Sequence, residues 1–227
     1  MNLLIKFFSI FLLIIFIRAV YILPIWKRPT QMKTKRQKYK IPISILSVIG
    51  SGGHTAEMLK LLDGLLQKDR TRYYQVNFIV AKTDKNSKIK IEKFIQNIRE
   101  NPTSLIQKNQ FKIFEIPRSR EVGQSFISCI LPTIRAFFSS LFVLFKTKPK
   151  LLLVNGPGTC VPVSICAFFI RVLFLNKTDI IYVESVARVK SLSLSGLILY
   201  IIADRFLVQW TELYQKYSKS EYIGRLF

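Results

Sequence analysis

From residue 41 onward, short and continuously apolar runs alternate with segments of helical periodicity. This alternation narrows the fold more than any other feature of the chain. The strand-like runs are 43–49, 76–81, 112–116, 151–155, 180–183 and 206–209. Helical patterns fall between or beside them at 55–67, 89–98, 124–145, 161–173 and 192–202. Strands that are apolar throughout are buried on both faces, and helical crossovers between successive strands impose parallel order. The predicted body is therefore an α/β, doubly wound, Rossmann-like parallel sheet. The 124–145 segment is rich in Phe (Phe126, Phe137, Phe138, Phe142, Phe145) but carries Pro132 and Arg135 at its middle, which weighs against a membrane span. It reads either as a helix that packs on the sheet with part of its face against a membrane, or as a fully buried helix.

Ahead of the body, residues 3–23 are almost wholly apolar, interrupted only by Lys6, Ser9 and Arg18. That length suits one transmembrane helix. Lys6 and Arg18 stand near its ends, where long side chains reach the headgroups. A cleaved signal peptide fits less well, because no small-x-small site follows the apolar run. Lys27, Arg28, Lys33, Lys35, Arg36, Lys38 and Lys40 follow the span and only Lys6 precedes it, so the positive-inside rule puts the body in the cytosol. The division is an anchor at 1–25, a basic linker at 26–40 and the sheet domain at 41–227. The linker is either a solvated tail or a polybasic patch held against anionic lipid. The sequon Asn176-Lys177-Thr178 is expected to stay unmodified in a cytosolic body.

The chain of 227 residues has a formal charge of +22, and about +13 remains once residues 1–40 are set aside. Such a body prefers anionic partners: phosphates, diphosphates or acidic lipid. Half the residues are hydrophobic, which favours a membrane surface over nucleic acid. Cys129, Cys160 and Cys166 lie in apolar stretches with no C-x-x-C pair, so neither a disulfide framework nor a metal site is expected. No cofactor is called for.

Three stretches carry candidate chemistry. Gly50, Ser51, Gly52, Gly53, His54 and Thr55 follow the first strand and open the first helix. Glycines allow close backbone approach, and a helix start offers free N–H donors with partial positive charge, so the loop suits a phosphate or diphosphate. It is neither a Walker loop nor a complete dinucleotide fingerprint. His54, the only histidine, reads either as structural or as functional. A positive helix end lowers its pKa, and a neutral imidazole there takes a proton from an attacking hydroxyl or hydrogen-bonds a phosphate. Asn155, Gly156, Gly158 and Thr159 form a second strand-to-helix turn on the same sheet edge. Glu184 ends another strand on that edge, as a base, a sugar-orienting carboxylate, a helix cap or the partner of Arg188. Arg118 and Arg120 follow the third strand, where they pair with a diphosphate or sit in a solvated loop.

The run Gly50-Ser51-Gly52-Gly53-His54-Thr55-Ala56-Glu57-Met58-Leu59 resembles the membrane-anchor subunit of the UDP-N-acetylglucosamine transferase of dolichol-linked oligosaccharide synthesis. So do the segments 118–125, 154–160, 182–185 and 191–210. The resemblance runs from the anchor to the C-terminus. It implies a fold like the N-terminal, acceptor-binding half of a GT-B glycosyltransferase, similar to the bacterial enzyme MurG. It further implies a separate, soluble, donor-binding glycosyltransferase subunit, recruited to the endoplasmic reticulum membrane. Together the two chains would add a second GlcNAc from UDP-GlcNAc to dolichyl-diphosphate-GlcNAc, β1,4 and with inversion, this chain being inactive without its partner. The acceptor-side motifs of that family map onto the glycine loop with His54 and onto the Asn155–Thr159 turn.

Eighteen residues follow Gln209, too few for a second sheet, which fits a missing half. The apolar end, Leu226 and Phe227, is expected to dock on the partner. The competing reading is a non-catalytic membrane scaffold that recruits a complete enzyme and leaves both glycine loops idle.

Overall fold

A computed structural model describes residues 2–24, 42–68, 72–100, 110–119, 128–156, 158–222 and 224–225. An N-terminal helix, α1 (Asn2–Ile22), precedes a body in which strands and helices alternate without exception. The order is β1 (Ile43–Val48), α2 (Gly53–Lys68), β2 (Tyr73–Ala81), α3 (Lys85–Glu100), β3 (Phe111–Ile116), α4 (Ile130–Thr147) and β4 (Leu151–Asn155). There follow α5 (Cys160–Val172), β5 (Asp179–Val183), α6 (Leu194–Ile202), β6 (Arg205–Val208), α7 (Thr211–Lys216) and β7 (Ser220–Tyr222). The seven strands form one sheet in the order β3-β2-β1-β4-β5-β6-β7, and every pairing is parallel. This is the doubly wound α/β fold that the alternation predicts. The strand order reverses between β1 and β4, the topological switch point at which such sheets bind ligands.

Every expected strand and helix is present, with ends displaced by a few residues. Two elements escape the sequence reading. Strand β7, Ser220–Tyr222, has three residues and no apolar run, because an edge strand is buried on one side only. Helix α7 is six residues long, too short for a periodic signal. Helix α2 starts at Gly53 rather than at Thr55, which brings His54 into its first turn.

Two apolar layers sandwich the sheet. One, built on Met58, Leu62, Phe78, Ile91 and Ile95, is covered by α2 and α3. The other, built on Val143, Leu144, Val163, Ala167, Tyr182, Leu199 and Phe206, is covered by α4, α5 and α6. The two outer surfaces differ. Helix α3 exposes one large apolar side chain, Ile89, and α2 none. Helix α4 buries Ala136, Ser140, Val143 and Leu144 but leaves Ile134, Phe138, Phe142 and Phe145 in the open, Phe138 and Phe142 at 65% exposure each. The fully buried reading of this helix therefore fails. Leu194, Leu197, Ile198 and Ile201 of α6 and Phe169 of α5 extend the apolar surface. Helix α5 lies between α4 and α6 and also touches α1.

The span of α1, Leu4–Ile22, is long and apolar enough to cross a membrane. The structure corrects the expectation for Arg18. Its Nε donates to the Val172 carbonyl at 2.8 Å and Nη2 to the Arg171 carbonyl at 3.3 Å, with the guanidinium over the Phe174 ring. The carbonyls at the C-terminal end of α5 carry partial negative charge and attract a cation. Helix α1 is thus pinned to the body. The basic linker at 26–40 lies outside the described residues.

Candidate functional site

A cavity of about 650 Å³ opens at the carboxyl edge of the sheet. Segments after five adjacent strands line it: Ile49 to Ser51 after β1, Ala81 and Asp84 at the end of β2, Arg118 and Ser119 after β3, Gly156, Gly158 and Thr159 after β4 and Arg188 after β5. The first turns of α5 (Val161, Pro162) and α6 (Leu194, Ser195), with Cys129 and Thr133 at the start of α4, form an apolar flank. Neither α2 nor α5 has an acid in its first turn, and α5 has no side-chain cap. Their N-terminal N–H groups are therefore suited to an anion. Arg188 is exposed at the rim. Arg118 also lines the cavity, and its Nη2 donates to Ser51 Oγ at 3.3 Å.

His54 stands at the cavity end of a chain of polar contacts. Its Nδ1 lies 2.7 Å from Asn155 Oδ1. Asn155, at the end of β4 and 1% exposed, donates from Nδ2 to Glu57 Oε2 at 2.7 Å. Glu57 Oε1 accepts from Ser185 Oγ at 2.9 Å and from the Val186 N–H at 3.3 Å. The chain ties α2 to the ends of β4 and β5. The imidazole lies against Gly156, whose φ of +60° is the left-handed conformation that glycine tolerates. A side chain at that position would collide with the ring.

The pKa of His54 is raised, not lowered as the helix-end reading has it. The Glu57 carboxylate beside it, with Oε2 3.7 Å from Nδ1, raises it most, and together with Asn155 it outweighs the opposing effect of burial. A nearby full negative charge wins over the partial positive charge of one helix end. For Glu57, burial pushes the pKa up, but the neighbouring His54 and hydrogen bonds from Asn155 and Ser185 bring it below the ordinary carboxylate value.

The remaining candidates separate. Thr55 is fully buried, and its hydroxyl donates to the Gly50 carbonyl and meets Ser87 Oγ at 2.7 Å, so it holds the loop rather than facing the cavity. Gly52 forms the turn with φ +65°, and both it and Gly53 are exposed. Glu184 is fully buried and does not line the cavity. Its Oε1 accepts from the Ser185 N–H at 3.0 Å and the Tyr182 hydroxyl at 3.2 Å, and Oε2 from the Ser193 N–H and hydroxyl at 3.0 and 3.1 Å. Ser193 in turn caps α6 through the Gly196 N–H. The Glu184 carboxylate is thus used up in the framework and makes no bond to Arg188. Arg120, Leu226 and Phe227 lie outside the described residues. Glu57 is not singled out by the sequence reading, and its signal is the three-residue spacing from His54, which puts both on one helix face.

Comparison with known proteins adds an independent line. The family described as "Oligosaccharide biosynthesis protein Alg14 like" matches residues 45–226. The "UDP-N-acetylglucosamine transferase subunit ALG14" of Candida albicans is 43% identical over 223 residues, covering 98% of this chain and 95% of that protein. The protein of the same name from Homo sapiens is 43% identical over 185 residues, 81% of this chain and 83% of its own. Among solved structures, Acinetobacter baumannii MurG superposes with a TM-score of 0.53 at 14% identity. That match covers 75% of this chain and 43% of MurG, so it speaks for the fold and for less than half of the MurG chain. The motif order, the sheet and these relatives agree, and the chain belongs to the Alg14-like family of oligosaccharide biosynthesis proteins.

Proposed function

We propose that this chain is the membrane-anchored, acceptor-binding subunit of a two-subunit UDP-GlcNAc transferase. The observation that carries the reading is the cavity at the switch point, in which His54 stands beside two glycine turns and two arginines. Its acceptor is dolichyl-diphosphate-GlcNAc at the cytosolic face of the endoplasmic reticulum membrane, and the product carries a second, β1,4-linked GlcNAc. Gly50, Ser51, Gly52 and Gly53 with Gly156, Gly158 and Thr159 offer backbone donors to the diphosphate, and Arg118, Arg120 and Arg188 supply charge. The relatives named as transferase subunits match over most of their own length. That supports a separate soluble subunit holding UDP-GlcNAc across the cleft, with Leu226 and Phe227 in its docking surface.

The anchor α1 and the apolar outer face of α4, α5 and α6 lie on one side of the sheet, joined through α5. Resting this face on the bilayer puts the cavity, flanked by the first turns of those helices, at the height of a lipid-borne diphosphate. The division into anchor, basic linker and cytosolic domain belongs to the same proposal. His54 Nε2 takes the proton from the acceptor hydroxyl as that oxygen bonds to the donor's anomeric carbon and UDP departs with inversion. Glu184 serves by holding the β5–α6 loop that carries Arg188.

The test is transfer of labelled GlcNAc from UDP-GlcNAc to a lipid-diphosphate-GlcNAc. This chain is assayed alone and with its soluble partner. Activity only in the pair supports the split enzyme. Activity of the partner without this chain, once brought to the membrane by other means, would make the chain a scaffold and sink the proposal.

A further inference from the structure

We propose that Glu57 is a positioning residue for the transfer: through the Asn155 amide it dictates which nitrogen of His54 carries the proton, leaving Nε2 as the proton acceptor facing the cavity. The inference rests on the reading of His54 given above and deepens it.

An ionised carboxylate can only accept hydrogen bonds. The Asn155 atom 2.7 Å from Glu57 Oε2 must therefore be the amide nitrogen, and the amide oxygen then points at His54 Nδ1, also at 2.7 Å. An amide oxygen likewise only accepts, so Nδ1 carries a hydrogen. In the neutral ring the lone pair falls to Nε2, which makes no hydrogen bond among the described residues. Glu57 is itself held: Ser185 Oγ and the Val186 N–H occupy its second oxygen. It pairs with no Lys or Arg among the described residues, and the cation in its reach is a protonated His54 at 3.7 Å. A purely structural tie between α2 and the strand ends does not need a charge. A relay that must fix the direction of an amide does, because a neutral amide at position 57 can donate as well as accept.

Other groups that bear on His54 have different reach. From β4 and its loop come Asn155 and Gly156; from β5 comes Glu184, which acts on it only through space. Around the cavity stand Arg118, Arg188 and Asp84. Among these, Glu57 is the ionisable group joined to the ring through a hydrogen-bonded chain.

The experiment uses the assembled two-subunit complex in detergent, with this chain alone carrying ¹⁵N-histidine. His54 is the only histidine of the chain, so its two ring nitrogens are read without ambiguity. Wild type is expected to show Nδ1–H and a bare Nε2 at a pH where the ring is neutral. In Glu57→Gln the new amide donates toward Asn155, which turns over and presents its own NH₂ to Nδ1. The proton is then expected on Nε2, with kcat down about 100-fold, acceptor KM little changed and the melting temperature close to wild type. The double variant Glu57→Gln, Asn155→Asp restores an acceptor facing Nδ1. It is expected to return the wild-type tautomer and most of kcat. Loss of activity in Glu57→Gln with Nδ1 still protonated would overturn the proposal in favour of a structural tie, as would no loss at all. The His54→Ala variant separates the two levels: near-normal transfer by it sinks the base assigned to His54 itself, whatever the tautomer.

Discussion

Replacing Gly156 by Ala tests the site with a single methyl group. At φ +60° an L-residue is strained, at a cost of about 1–2 kcal/mol. The added Cβ would fall 2.8 Å from His54 Nδ1 and 3.1 Å from Nε2, and closer still to Cε1. Carbon atoms in contact settle at about 3.5–4.0 Å, so the ring must retreat by about 1 Å. Retreat breaks the bond to Asn155 Oδ1 and strands a buried amide oxygen, adding about 1–3 kcal/mol. A displacement of about 1 Å in a reacting group lowers transfer about 100-fold. Gly52→Ala isolates the strain, because Gly52 has nearly the same φ, +65°, and a methyl added there meets nothing within 4 Å. It is expected to lose about 1–2 kcal/mol of stability and at most about tenfold in rate. The measurements are thermal melts of each variant and GlcNAc transfer by the assembled complex. If Gly156→Ala transfers as fast as Gly52→Ala, the imidazole does not need its place against the glycine, and the role given to His54 fails.

Five further outcomes follow from named residues. In the proposed role His54 takes a proton only when neutral, and its pKa is raised above 6.5, so transfer should rise with pH through a midpoint above 6.5, and that midpoint should fall in Glu57→Gln. The stability terms have opposite signs: the His54 contribution is complete below 6.5 and fades as pH climbs through its folded pKa, whereas the Glu57 contribution holds above 4.5 and is lost as pH drops through its lowered value, so melts across pH should show both edges. Glu184→Ala leaves the buried Ser185 and Ser193 N–H donors without their acceptor, and should lower stability by at least about 1–3 kcal/mol, with transfer falling only as far as folding does. Arg188→Gln removes a charge from the cavity rim and should raise the acceptor KM by about tenfold or more, with melting unchanged. A fluorophore at Phe142→Cys should be quenched by lipid-borne quenchers in proteoliposomes, and one at Ile89→Cys on the opposite surface should not; equal quenching would remove the membrane-resting face.

The architecture was legible in the sequence because its signals are local. A parallel strand must be apolar on both faces, and a crossover must be helical, so runs such as 151–155 and 43–49 announce themselves in any surroundings. The glycine turns were legible for the same reason, since a sharp strand-to-helix turn needs residues that tolerate it. Charge asymmetry around the apolar N-terminus predicts an orientation, which the quenching and glycan experiments would test. What stayed hidden depended on residues far apart in the chain. Asn155 lies 101 residues from His54 and Ser185 lies 128 from Glu57, and no period or spacing announces such pairs. Only their convergence reverses the expected shift of the His54 pKa and turns an unremarked helix glutamate into its partner. Burial decided the opposite for Glu184 and Thr55: both stand at the right edge of the sheet in sequence, but the packed structure points their oxygens inward and saturates them. Arg18 follows the same logic: its position in the apolar run says nothing of the partner, and the fold brings the carbonyl end of α5 within its reach.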